Sequence, residues 1–289
     1  MYLRCIYILC LSIFFNGSFA DDRSNTKSSG GHSVVAEQLK QDSQADKLNN
    51  IFDLYKPNYI LPYYYTASPY QTIYRLHTPD GQSIMSSELN GQISFRVPII
   101  KKIFAKNMSM HLAYTQSMFW QFYAKSQYFR ETNYQPELFI EKDLTSSSLA
   151  RLSLNHQSNG RGGDLERSWN RLILNFETSG DTWLLDIKAW ALIFKPMSSD
   201  LHNPKITHYL GHEVIVLSKK YKELVLSFEA QNIESGLSRG HVAMTASYPI
   251  TRNFKLYTRL FNGYGQSLIE YDHKTFAVGV GIAFNDCIE

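Results

Sequence analysis

The stretch RLSLNHQSNG, residues 151–160, brings together side chains that can do acyl chemistry. Read with a period of two, Leu152, Leu154, His156 and Ser158 share one face of a strand, while Arg151, Ser153, Asn155 and Gln157 share the other. The apolar face therefore ends in a histidine and a serine. A hydroxyl beside an imidazole is the pairing of nucleophilic catalysis, in which the imidazole takes the hydroxyl proton as the new bond forms. The two residues are about 6.6 Å apart along a strand, a gap that their side chains can close.

The following strand supplies a third group. Pairing Leu154 with Leu172 and Leu152 with Leu174 aligns the apolar faces of a hairpin around NGRGGDLE, and the same register sets His156 opposite Asn170. Directly opposed residues have Cβ atoms about 4.5–5.5 Å apart. Ser158 would then be the nucleophile, His156 the general base, and Asn170 the group that holds the imidazole tautomer. If this face meets hydrocarbon, asparagine has a physical reason, because an uncompensated carboxylate there is expensive. A neutral amide stabilises an imidazolium less well, so further electrostatic help is expected.

The elements that must position these groups read as strands. Alternating segments span 58–66, 91–98, 108–123, 133–143, 148–158, 167–178, 182–194, 208–219, 221–231, 239–248, 252–262 and 274–284. In WLLDIKAWALIF, Trp183, Leu185, Ile187, Ala189, Ala191 and Ile193 oppose Asp186 and Lys188. A soluble sandwich would bury the apolar face, and a membrane barrel would turn it outward. Strand length, an even strand number and aromatics near strand ends (Trp120, Trp169, Trp183, Trp190, Tyr123, Tyr257) point to an all-β, twelve-stranded antiparallel transmembrane barrel of the outer membrane. The longer connections, 67–90, 124–132, 159–166, 195–207, 232–238 and 263–273, would face outward. Arg151, Asn155, Arg171, Asn175, Asp186 and Lys188 would partly fill a narrow lumen.

The remaining sequence fits an exported protein. Residues 1–20 combine a basic start, an apolar core and Ser18-Phe19-Ala20, a secretory leader with cleavage expected after Ala20. Residues 21–50 are polar and read as a mobile segment, leaving 51–289 as the barrel domain. Loss of the leader removes Arg4, so 28 basic residues face 26 acidic ones; this near balance argues against a nucleic-acid partner. Cys5 and Cys10 leave with the leader, and Cys287 alone cannot form an intrachain disulfide. On residue types alone, the rival to an enzyme is a non-catalytic barrel, a small pore or an adhesin.

The motif NHQSNGRGGDLERSWNR, residues 155–171, resembles the signature of the outer-membrane phospholipase A family. FRETNYQPELF (129–139) and YPITRNFKLYTRLFNGYGQSLIEYDH (248–273) carry the same resemblance, which extends from about Ile51 onward. It implies a twelve-stranded barrel, hydrolysis of phospholipid acyl esters of the A1/A2 type, dependence on Ca²⁺, and action as a homodimer. The family's catalytic residues fall on His156, Ser158 and Asn170. Its oxyanion N–H falls on Gly160. Its calcium ligands fall on the Arg161 carbonyl, on Ser126 in the preceding outer loop, and on Glu166 where the family has a hydroxyl residue. Glu166 is thus a departure, with Asp164 a competing ligand; a carboxylate remains a normal calcium ligand. The C-terminus, Asp286-Cys287-Ile288-Glu289, also departs from the family's terminal aromatic, with Phe284 the nearest substitute.

One further residue stands out. In HLAYTQSMFW the alternation places Gln116 among Leu112, Tyr114, Met118 and Trp120 on the apolar face. Unsatisfied polar groups in hydrocarbon cost several kcal/mol. Gln116 should therefore either reach head groups or bond across an interface between two copies. The family resemblance favours the second, with Ser126 of one chain completing the calcium site of the other.

Overall fold

The structure, a computed structural model, describes residues 52–193 and 203–286. The expected leader (1–20), the segment 21–50 and Cys287 lie outside the described residues. Twelve long strands follow in order: β1 (Asn58–Thr66), β2 (Ser87–Lys101), β3 (Met108–Trp120), β4 (Phe129–Thr145), β5 (Ser148–Ser158), β6 (Ser168–Ser179), β7 (Trp183–Leu192), β8 (Glu213–Tyr221), β9 (Leu224–Gln231), β10 (His241–Pro249), β11 (Lys255–Tyr264) and β12 (Lys274–Asn285). Each pairs antiparallel with its neighbours in sequence, and β12 pairs with β1, so the sheet closes into a barrel. A two-residue strand, Asp53–Leu54, continues the edge of β1 along β2.

The barrel is apolar outside and polar inside. On β5 and β6, Leu152 and Leu174 are 50% and 59% exposed, whereas Arg151 and Asn155 are 5% and 2% exposed. This inversion of the soluble pattern decides between sandwich and membrane barrel, because only lipid would leave a ring of outward leucines without cost. No helix among the described residues is long and apolar enough to cross a membrane.

The lumen is filled rather than open. Arg151 bonds Glu141 at 2.5 Å and Glu177 at 2.9 Å, Arg96 reaches Glu141 at 3.4 Å, and Lys188 meets Asp186. Such charges are held by partners because burying them unpaired would be costly. The residues expected to fill the lumen do so, which disfavours a pore.

Two sequence expectations need correction. Trp169, Trp190 and Tyr257 do not belong to an interfacial girdle, since all three are buried inside. Their parity explains it: Trp190 alternates with the outward Ala189 and Ala191, and Trp169 with the outward Asn170. Only Trp120, Trp183 and Tyr123 keep outward positions. The expected strand 208–219 begins only at Glu213, as β8, and the residues before it form a short helix, α1 (Ile206–Leu210). Ile206 and Leu210, four apart, both enter a cluster with Trp169, Ile173, Trp190, Leu268 and Tyr271.

Loops close the barrel at the end where Ser158 lies. The connection 67–86 packs Tyr74 and Ile84 against Leu165 and Ile269 from two other loops. Arg130 ties this cap to the wall through a bidentate pair with Glu88 and a 3.0 Å ion pair with Glu270. At the opposite end β4 and β5 are joined by only Ser146 and Ser147.

Candidate active site

The β5–β6 hairpin has the register expected from its leucines. His156 is paired with Asn170, Ser158 with Ser168, Leu154 with Leu172 and Leu152 with Leu174. The His156 ring Nδ1 lies 2.8 Å from Asn170 Oδ1. An amide oxygen only accepts, so with Oδ1 facing the ring Nδ1 is the donor, and in the neutral imidazole Nε2 is left as the acceptor. That is the tautomer a general base requires. The pair stands on the exposed outer face, continuous with Leu152, Leu154, Leu172 and Leu174.

Ser158 lies two residues further on the same face and makes no hydrogen bond to the imidazole among the described residues. Hydrogen bonds of this kind are often long before substrate binds and tighten afterwards.

Beyond Ser158 the chain turns sharply. Gly160 adopts φ +65, the left-handed region, and a Cβ there would lie 2.8 Å from the Tyr134 ring. Glycine is thus required twice, by conformation and by space. The Gly160 N–H donates to no group among the described residues, which leaves it free for an oxyanion. Asn159 clasps the loop behind it. Its Oδ1 accepts from the N–H of Arg167 at 3.0 Å and of Arg161 at 3.3 Å, and its Nδ2 donates to the Leu165 carbonyl at 2.8 Å. Leu165 is itself anchored in the cap cluster.

The expected calcium ligands fall into two groups. Arg161, Asp164 and Glu166 share the 159–167 loop. The Arg161 carbonyl accepts no hydrogen bond, and the carboxylates of Asp164 and Glu166 have no partner among the described residues. Hard, unpaired oxygens on one loop are the donor type that Ca²⁺ takes, so the residues fit the ion in chemistry, while no group of three or more His, Cys, Asp or Glu side chains placed to hold a metal occurs among the described residues. The Arg161 side chain is used elsewhere, bonding Glu131 at 3.1 Å and the Arg130 carbonyl. Ser126 is not brought to this loop. Its Oγ donates to Asp80 at 2.8 Å, and Gln82 bonds its main chain.

Gln116 is outward on β3, and its Oε1 accepts from the Tyr114 hydroxyl at 2.8 Å. Cross-strand registers pair Ile93 with Gln116, Gln116 with Tyr134, and Tyr134 with Ser158. These four residues form one row across β2–β5. Gln116 is thus two strands from Ser158, about 10 Å at ordinary strand spacing, with Tyr134 between them.

Sequence reasoning missed Asn159, Tyr134 and Asp80. The Asn-Gly dipeptide at 159–160 was a usable turn signal. No pattern linked Tyr134 to Gly160 or Asp80 to Ser126, because those contacts cross between loops and strands far apart in the chain.

An inside-out barrel with a Ser, His and Asn on its lipid face can be compared with known proteins. The family model described as phospholipase A1 matches residues 35–284. The chain belongs to the phospholipase A1 family. The phospholipase A1 of Klebsiella pneumoniae is 32% identical over 295 residues, covering 98% of this chain and 98% of its own. Outer membrane phospholipase A from Escherichia coli has a TM-score of 0.74 at 31% identity, over 82% of this chain and 99% of that one. The Salmonella typhi outer membrane phospholipase, solved as a dimer with bound calcium, gives 0.76 at 30% identity over 89% and 99%. This member of the phospholipase A1 family is accordingly an outer-membrane β-barrel hydrolase.

Proposed function

We propose that this phospholipase cleaves acyl esters of glycerophospholipids, in the A1/A2 manner, with Ser158 as nucleophile, His156 as general base and Asn170 as the group orienting the imidazole. The observation that carries the reading is the 2.8 Å bond from His156 Nδ1 to Asn170 Oδ1 on the lipid-facing wall. Imidazole and amide on a surface turned to hydrocarbon serve no packing purpose there, whereas an enzyme whose substrate is the bilayer needs them on that face.

Ser158 Oγ attacks the ester carbonyl carbon while its proton passes to His156 Nε2. The carbonyl oxygen becomes an oxyanion, toward which the free Gly160 N–H can donate. Collapse breaks the ester C–O bond, and the imidazolium protonates the departing lysophospholipid alkoxide. Water, deprotonated by the same Nε2, then attacks the acyl-enzyme, and the fatty acid leaves as the serine recovers its proton. Asn170 holds Nδ1–H throughout, so the base returns in the correct tautomer after each transfer.

Calcium is part of the proposal. The Arg161 carbonyl and the Glu166 carboxylate would hold it, with Asp164 as an alternative and Ser126 contributed by a second copy of the chain. When bound, the ion would supply positive charge to offset the oxyanion, the help that a neutral asparagine cannot give. The active form is then a homodimer with Gln116 in the contact. Its supports are the calcium-bound dimer of the Salmonella typhi relative and the row that sets Gln116 two strands from Ser158.

The test is hydrolysis of a phospholipid in mixed micelles by the refolded protein. Ser158→Ala and His156→Ala should each abolish turnover, by about 10⁶-fold in the manner of other serine hydrolases. Normal hydrolysis by Ser158→Ala would remove the mechanism.

A further inference from the structure

Behind the catalytic hairpin, inside the barrel, lies an arrangement that the mechanism does not use. Two registered pairs flank His156–Asn170: Asn155 faces Arg171, and Gln157 faces Trp169. All four side chains point to the lumen, and Arg171 links the other three. Arg171 donates from Nη2 to Asn155 Oδ1 at 2.8 Å and to Gln157 Oε1 at 3.1 Å, and its Nε reaches the same Asn155 oxygen at 3.2 Å. Trp169 Nε1 donates to Gln157 Oε1 at 2.8 Å. The guanidinium lies over the Trp169 ring at 4.1 Å and near Trp190 at 5.4 Å. One side chain on β6 therefore grips β5 on both sides of His156.

The contrast with Arg151 is informative. Arg151 sits on the same hairpin, farther from the cap, and is neutralised by Glu141 and Glu177. Arg171 is 7% exposed, yet no carboxylate is within ion-pair distance of it among the described residues. Two amide oxygens and two indole faces hold it instead. Stability alone is a weak reason to keep such a charge, since apolar packing often does as well as a buried ionic group. A cavity of about 260 Å³ opens beside it, lined in part by Lys56, Glu137, Gln157 and Lys188. On the side of this cavity, the strand wall behind the triad is held by these polar bonds and not by apolar side chains alone.

We propose that Arg171 is a positioning residue for the hydrolysis: acting from inside the barrel, it locks the peptides on both sides of His156 and so fixes the His156–Asn170 pair outside. The inference rests on the triad reading above. Side chains alternate across a strand, so a twist that swings Asn155 and Gln157 inward also swings His156 and Ser158 outward. A catalytic group misplaced by about 1 Å can cost about 10²-fold in rate.

Arg171→Lys keeps a cation but cannot bond two oxygens in one plane. Gln157→Leu keeps Arg171 and removes the acceptor beside His156. Both should lower kcat by about 10- to 100-fold with KM within about twofold of the parent, and both should slow sulfonylation of Ser158 by a long-chain sulfonyl fluoride to a similar degree. Gln157→Glu, which keeps the acceptor oxygen, should restore most of kcat. Arg151→Lys is the structural control. It should lower the thermal midpoint, read by gel mobility of unheated samples, while kcat stays within about threefold. Should Arg171→Lys fail to fold, Gln157→Leu decides. The proposal is overturned if the Arg171 and Gln157 variants keep kcat, if Arg151→Lys loses kcat as far as they do for the same fall in thermal midpoint, or if Gln157→Glu fails to restore it. An active Ser158→Ala protein would instead remove the triad reading itself.

Discussion

Gln116 offers a test of association that can be worked from the structure. Its carboxamide has two N–H donors and an oxygen with two lone pairs, and the Tyr114 hydroxyl fills one of those lone pairs at 2.8 Å. In a twofold contact the two Gln116 amides can each donate to the other's remaining lone pair, giving two hydrogen bonds per dimer. Polar contacts between membrane-embedded segments average about 0.6 kcal/mol and reach about 1.7 kcal/mol. Two of them contribute about 1.2 to 3.4 kcal/mol, which corresponds to roughly 7-fold to a few hundred-fold in dissociation constant. Gln116→Leu should weaken the dimer by that amount. Tyr114→Phe should act in the opposite direction, because it leaves the Gln116 oxygen wanting a partner in the monomer. Sedimentation equilibrium in detergent with saturating calcium, at several protein-to-detergent ratios, measures both. Activity followed over the same ratios should fall for Gln116→Leu chiefly at low protein. If both variants associate like the parent, Gln116 touches only lipid head groups and the contact lies elsewhere.

Three further outcomes are expected. Asn170→Ala should leave measurable hydrolysis where Ser158→Ala leaves none, since it removes orientation and not a participant; equal loss in both would make Asn170 more than an orienting group. Chelation should stop turnover without unfolding the barrel, and Glu166→Ala should raise the calcium requirement more than Asp164→Ala does; an unchanged titration in both would show that the ligands are wrongly assigned. Gly160→Ala should cost up to about 10²- to 10³-fold in kcat, the range for losing one oxyanion donor, because the new methyl meets Tyr134 and turns the N–H away; full activity in that variant would place the oxyanion donor elsewhere.

The hairpin was legible because two constraints overlap there. A period of two sets which residues share a face, and four leucines that must align leave one register, from which the opposition of His156 and Asn170 follows without any tertiary information. Parity was equally available for Trp169 and Trp190. Nearness to a strand end pointed to a girdle, but their immediate neighbours face lipid, so the rings had to face in. The spacing of Ile206 and Leu210 was a one-turn helical signature, hidden in a run of residues that also suits a strand. The Arg130–Glu88–Glu270 tie and the fit of Tyr134 against Gly160 left no trace in the sequence. They depend on where loops and distant strands meet once the barrel has closed, and no local period encodes that.

His156 and Ser158 stand on a convex wall, flush with leucines that touch lipid, and this changes what substrate concentration means for the enzyme. A cleft enzyme samples molecules from a volume, whereas this one samples neighbours in a two-dimensional fluid. The quantity that saturates it is then the mole fraction of cleavable lipid around the barrel, not moles per litre. Adding inert detergent or uncleavable lipid would slow turnover just as a competitor does, without binding anywhere in particular. With the nucleophile proposed above, an inhibitor would have to partition before it could bind, so potency should follow its enrichment in the bilayer as closely as its fit to the proposed Ser158 site.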